Sequence, residues 1–213
     1  YKDIYAFLLQ NKLIYSFHIP LFFLLSGFST TPDKHISGFR LFLKRQFLTR
    51  ITPYIVFSGI VIIPSFFITG WFIAVGSDVE HQFIKGLLHT IRGNPAFNIP
   101  LWFLSCLITV ELIHFIMGRH FKTNTKTILW ACTFYLFGYI INIAVTFFPK
   151  YNFWYFHEAP VAYAFYLVGT LLRKNAFLLN QPRKIFLWAG FFFFMSVTIL
   201  SFDKNQGPFT VTQ

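Results

Sequence analysis

Residues 54–75 read YIVFSGIVIIPSFFITGWFIAV and carry no charged side chain. A helix needs about 20 mostly apolar residues to cross the hydrocarbon core of a bilayer, so this stretch reads as a transmembrane helix. The same criterion picks out Leu13–Phe28, Phe97–Met117, Ile128–Phe148, Ala159–Leu172 and Ile185–Phe202 on either side of it. None of these alternates apolar and polar residues over about ten positions, as a membrane β-strand would. The expected fold is therefore an all-α integral membrane protein, a polytopic bundle of six transmembrane helices forming one domain over residues 1–213.

Composition supports that class and excludes others. Of the 213 residues, 55% are hydrophobic, 22% aromatic and only 12% charged. Soluble domains carry about 25% charged residues, roughly twice this share. Disorder is excluded because so much apolar side chain cannot stay solvated. Cys106 and Cys132 each fall inside an apolar run and read as small core residues, with no metal or disulfide spacing.

A net charge of +11 would suggest nucleic acid in a soluble chain. Here the cations cluster between the apolar runs, so the expected partner is the lipid bilayer and no nucleic acid. Connection 29–53 holds Lys34, Arg40, Lys44, Arg45 and Arg50 against Asp33. Connections 118–127 and 173–184 are basic and unopposed, while 76–96 and 149–158 are balanced. Such alternation is what the excess of Lys and Arg on the cytoplasmic side produces, and it implies a multi-pass protein. Within 29–53, Phe39, Phe42, Leu43, Phe47 and Ile51 recur at helical spacing, the pattern of a short basic amphipathic helix lying at the cytoplasmic face.

An ionisable side chain inside a span is costly, and each one is a candidate for function. In the first span Tyr15, His18 and Ser26 share a helical face, and Pro20 frees the carbonyl of Ser16. A neutral imidazole there can orient a hydroxyl or take its proton, or simply bond one helix to another. Glu111, with His114 one turn on, either pairs with a basic group of a neighbouring helix or acts in catalysis. Lys44, Arg45 and Arg50 either bind phosphates or only set topology. No phosphate-cradling glycine loop, dinucleotide fingerprint, HExxH, CxxC or nucleophile elbow occurs.

Taken in order, these residues resemble the membrane acyltransferase 3 family, which includes O-antigen and polysaccharide O-acetyltransferases and fucose 4-O-acetylase-like proteins. Phe17-His18-Ile19-Pro20-Leu21-Phe22-Phe23 followed by Ser26-Gly27-Phe28 is similar to its FHMPLFFxxSGF signature. Phe42-Leu43-Lys44-Arg45 through Arg50-Ile51-Thr52-Pro53-Tyr54 resembles its basic stretch ending in Pro-Tyr. Leu101-Trp102-Phe103-Leu104 with Glu111 resembles its LWFL…E helix, and Phe165-Tyr166-Leu167-Val168-Gly169 with Leu172-Arg173-Lys174 its FYLLGxxLRK element.

The resemblance implies transfer of an acyl group, typically acetyl, from acyl-CoA to a hydroxyl of a cell-envelope carbohydrate, with no metal. It implies that Lys44, Arg45 and Arg50 hold the CoA phosphates and that His18 positions the acceptor or thioester. Glu111 would then orient a neighbouring basic group. Tyr15, Ser26 and Trp102 would line the substrate cavity. The family also carries an arginine and a histidine on a first membrane helix, a pattern that nothing before Tyr15 fits. The expectation is either a fragment lacking that helix and some C-terminal ones, or a degenerate, inert member. A small-molecule transporter, also built from kinked helices with buried polar groups, is the alternative from another class.

Overall fold

The computed structural model describes residues 18–30, 38–67, 87–95, 101–120, 123–147 and 153–175, and every regular element among them is helical. Helix α1 is His18–Phe28. Helix α2, Phe39–Gln46, passes through a π-helical turn, Phe47–Ile51, into α3, Thr52–Phe67. Residues 87–91 form α4. Helix α5, Trp102–Met117, ends in a 3-10 turn, Gly118–His120, and is followed by α6, Asn124–Phe147, and α7, Ala159–Lys174. The expected sixth span, Ile185–Phe202, lies outside the described residues, as do residues 13–17 of the first and 68–75 of the second.

The basic helix expected at the cytoplasmic face is present, but it is not a separate element. Gln46, Phe47 and Thr52 all have right-handed helical backbone, so α2, the π turn and α3 form one continuous helix. The π turn ends two residues before Pro53, which has no N–H to donate to the preceding turn. Hydroxyls help to satisfy carbonyls around it: Thr52 Oγ1 donates to Phe47 O and Thr49 Oγ1 to Arg45 O, each at 2.8 Å. Judged by length and composition, Phe39–Ile63 is long and apolar enough to cross a membrane. The helix that carries the apolar stretch thus begins well before Tyr54, at Phe39. His18–Phe28 and Trp102–Met117 are apolar but shorter.

This long helix turns its apolar side outward. Phe39, Leu43, Phe47, Ile55 and Ile63 are exposed, whereas Gln46, Tyr54 and Ser58 are buried. Gln46, Arg50, Tyr54 and Ser58 recur every fourth residue and so share the inner flank. Polar side in and apolar side out is the arrangement that lipid surroundings require.

Contacts between elements fix their directions. Helix α5 runs antiparallel to α2 and α3, with the ring of Phe42 stacked 4.3 Å from Phe115 and Arg50 reaching Glu111. Helices α6 and α7 are antiparallel: Phe134 packs edge-on against Tyr163 at 4.8 Å, and Asn124 Nδ2 donates to Asn175 Oδ1 at 3.0 Å. Helix α1 lies alongside α5 and α7 and runs in their direction. Its Phe23 ring is 4.8 Å from Phe103, and Arg173 donates to the terminal carbonyl of Phe28 at 3.1 Å. A cation at a helix C-terminus satisfies an orphan carbonyl and complements the dipole.

The core gathers Phe23, Cys106, Leu107, Val110, Tyr163, Tyr166 and Leu167 around the small residues Ala159 and Ala162. Small residues let helices approach closely where lipid supplies no hydrophobic drive to associate. The extreme case is the crossing of α1 and α7. A Cβ on Gly27 would collide with the carbonyl of Tyr166, and one on Gly169 with the carbonyl of Leu24. Cys106 lies in this core as expected, but Cys132 does not: it is exposed on the outer side of α6. An apolar run in a membrane helix has a lipid side as well as a core side, and a thiol suits either.

Candidate functional site

Glu111 sits midway along α5 and is only 7% exposed. Its Oε1 accepts from Arg50 Nη2 at 2.8 Å, and its Oε2 accepts from Gln46 Nε2 at 2.6 Å and from Arg50 Nε at 3.4 Å. Gln46 and Arg50 can both reach it because one ends α2 and the other lies in the π turn, where the wider turn leaves both on the inner flank. A fork of two guanidinium nitrogens on one carboxylate is the strong form of a charged hydrogen bond. Buried charge of this kind has a large desolvation cost, so its geometry has to be satisfied on every side.

One turn beyond Glu111, His114 is also buried, with Nδ1 3.1 Å from the Tyr163 hydroxyl. Its ring meets the edges of Tyr163 and Tyr166 at 5.8 and 4.9 Å. The Tyr166 hydroxyl shares a hydrogen bond with Thr30 Oγ1, which also donates to the Ser26 carbonyl at 2.9 Å. Carboxylate, guanidinium, imidazole and two phenols thus line the region where α1, α5, α7 and the π turn converge.

A second polar cluster lies toward the start of α5. The Tyr54 hydroxyl donates to the Thr90 carbonyl at 2.6 Å, and Thr109 Oγ1 to the Trp154 carbonyl at 2.8 Å. The Tyr155 hydroxyl donates to Asn94 Oδ1 at 3.0 Å. Burial, with the Glu158 carboxylate as a lesser cause, pushes the Tyr155 phenol above its ordinary value and keeps it a donor. Trp154 and Tyr155 hold φ angles of 48° and 53°, a left-handed backbone that bulky residues rarely adopt. Opposite them Gly93 has φ 82°, and the Trp154 N–H donates to the Arg92 carbonyl at 3.0 Å.

The candidate residues fall into separate places. Arg50 and Glu111 are brought together. Lys44 and Arg45 lie on the same helix but are exposed, away from that pair. His18 packs on Phe22 at 4.4 Å, and Phe22 on Phe103 at 5.2 Å, which puts the imidazole near the start of α5. Glu111 is eight residues further along α5, about 12 Å at 1.5 Å per residue. Trp102 joins the second cluster, its ring 5.3 Å from Tyr155. Ser26 lies on α1 with its carbonyl engaged by Thr30, and Tyr15 falls outside the described residues. Gln46, Tyr163 and Tyr166 were not singled out from the sequence. The four-residue repeat of Gln46, Arg50, Tyr54 and Ser58 was the available signal for the first. Among the described residues no group of three or more His, Cys, Asp or Glu could hold a metal.

An interior polar cluster thus lies among helices whose apolar side chains face outward. The chain belongs to the acyltransferase 3 family: that family's profile, described as an acyltransferase domain, matches residues 2–210. Members of the family are membrane proteins, in keeping with the apolar helix Phe39–Ile63. Neither the search of curated proteins nor that of solved structures found a match.

Proposed function

We propose that this acyltransferase is a multi-pass enzyme of the inner membrane that moves an acyl group, acetyl first among candidates, from acyl-CoA to a hydroxyl of a cell-envelope carbohydrate. The observation that carries the reading is the buried Arg50–Glu111–Gln46 cluster in a chain of this family. An inert bundle gains little from a buried ion pair, since apolar residues of similar volume serve as well or better. The alternating directions of α1, α3, α5, α6 and α7 support repeated crossing, and they match the alternation of basic and balanced connections.

The chemistry is a transfer between oxygen and sulfur. The acceptor oxygen attacks the thioester carbonyl, a C–O bond forms and the C–S bond breaks. The hydroxyl proton passes to a base, and the thiolate takes up a proton to leave as CoA thiol. Exposed Lys44 and Arg45 on the cytoplasmic side suit the CoA phosphates, and His18 is assigned to position the acceptor or the thioester.

The test is His18→Ala in the full-length protein, with transfer from labelled acetyl-CoA to envelope carbohydrate compared at equal membrane abundance. Transfer falling by about a hundredfold, as loss of a positioned acid–base group typically causes, supports the assignment. Unchanged turnover overturns it. Absence of any transfer by the wild-type protein, together with solute uptake into vesicles, would replace the enzyme by a transporter.

A further inference from the structure

Gln46 is 6% exposed, yet only one end of its amide is satisfied. Nε2 donates to Glu111, while Oε1 is buried and makes no hydrogen bond among the described residues. Turning the amide over does not help, because a carboxylate held by a guanidinium only accepts and has to be met by the NH2 end. A buried acceptor left without a donor carries the full cost of desolvation, and that cost points to a donor that arrives from elsewhere. Arg50 is in the complementary condition. Its Nη2 and Nε face Glu111, whereas Nη1 makes no hydrogen bond among the described residues and the side chain is 29% exposed.

An open acceptor and an open donor therefore sit on adjacent turns, both tied to the same carboxylate. We propose that Gln46 Oε1 and Arg50 Nη1 form a subsite for a secondary amide, whose N–H donates to the glutamine and whose C=O accepts from the arginine. The occupant is an amide of the pantetheine arm of acyl-CoA. This rests on the acyl-CoA reading above and deepens it. The donor side is favoured over the carbohydrate because Lys44 and Arg45 immediately precede Gln46 and are exposed. Phosphates held by them place the arm beside the next turn of the same helix. Glu111 is a positioning residue here, since it orients both partners.

The experiment measures binding to the full-length protein in detergent with three probes: CoA, pantetheine, and pantetheine methylated on its amide nitrogens. Methylation removes the donor and needs no variant to fold. The wild type is expected to bind pantetheine about tenfold more tightly than its methylated form, the scale of one satisfied buried hydrogen bond. In Gln46→Leu that preference disappears, while adenosine 3′,5′-bisphosphate binds unchanged. CoA binding with equal affinity for both pantetheines overturns the subsite but leaves the enzyme reading standing. Failure to bind CoA at all overturns both. A Gln46→Leu defect confined to the KM of the carbohydrate would reassign the subsite to an acceptor hydroxyl and overturn the proposal.

Discussion

Glu111 on α5 and Arg50 in the π turn of the long helix meet at 2.8 Å across 61 residues of sequence. Removing one partner leaves a buried charge without its counterion, which costs about 3–5 kcal/mol. Glu111→Leu and Arg50→Met should each lower the melting temperature in detergent strongly. The double substitution should recover most of the loss, because apolar residues can fill the same space. Acyl transfer should stay lost in the double variant, so that stability and turnover separate. A double variant as unstable as either single would show that the pair is not what holds α5 to this helix.

Lys44 and Arg45 offer the opposite contrast. Both are exposed, so Lys44→Gln with Arg45→Gln should leave the stability within about 0.5 kcal/mol of wild type. If they hold phosphates, the KM for acetyl-CoA should rise several-fold with kcat little changed, and salt should weaken the wild type toward the variant. Steady-state kinetics at two ionic strengths measures this. An unchanged KM would limit these cations to topology.

The glycines separate by what surrounds them. Gly27→Ala and Gly169→Ala should each destabilise by several kcal/mol, because the added methyl meets backbone of the facing helix, which cannot rotate aside. Gly59→Ala meets nothing within 4 Å and replaces a poor helix former, so it should be neutral or stabilising by up to about 1 kcal/mol. Size-exclusion profiles and melting temperatures of the three variants give the comparison directly.

Tyr155 sets an alkaline limit. Its phenol is raised above the ordinary value of 10.0, chiefly by burial, so the folded state keeps the proton longer than the unfolded state does. The stabilisation is fully present below about pH 10 and is lost as pH rises above it. Tyr155→Phe should be less stable than wild type by about 1 kcal/mol at neutral pH, through loss of the bond to Asn94. The gap should narrow above pH 10. A gap that stays constant to pH 11 would overturn the assignment to Tyr155.

Much of the fold was legible from residue type alone. Apolar runs announced helices, and Glu111 stood out because a carboxylate in such a run has to be explained. Its partner was harder to name, since Arg40, Lys44, Arg45 and Arg50 are alike in a linear reading. The π turn decides among them by presenting Arg50 inward, and Pro53 was its only trace. That the basic helix and the second apolar helix are one continuous element was not legible, because the cations between Arg40 and Arg50 read as a separate amphipathic helix at the surface. Cys132 was misassigned for a related reason: apolar periodicity tells that a face is dry, not whether lipid or protein dries it. His18 and Glu111 are each visible in sequence, but their separation along parallel helices is a matter of direction and depth.

The backbone contact at Gly27 and Gly169 also constrains traffic. With the two main chains touching, nothing as wide as a thioester or a sugar ring can slip sideways between α1 and α7. Entry and exit past that crossing have to use another seam, and a side chain larger than hydrogen at either glycine would force the two helices apart there.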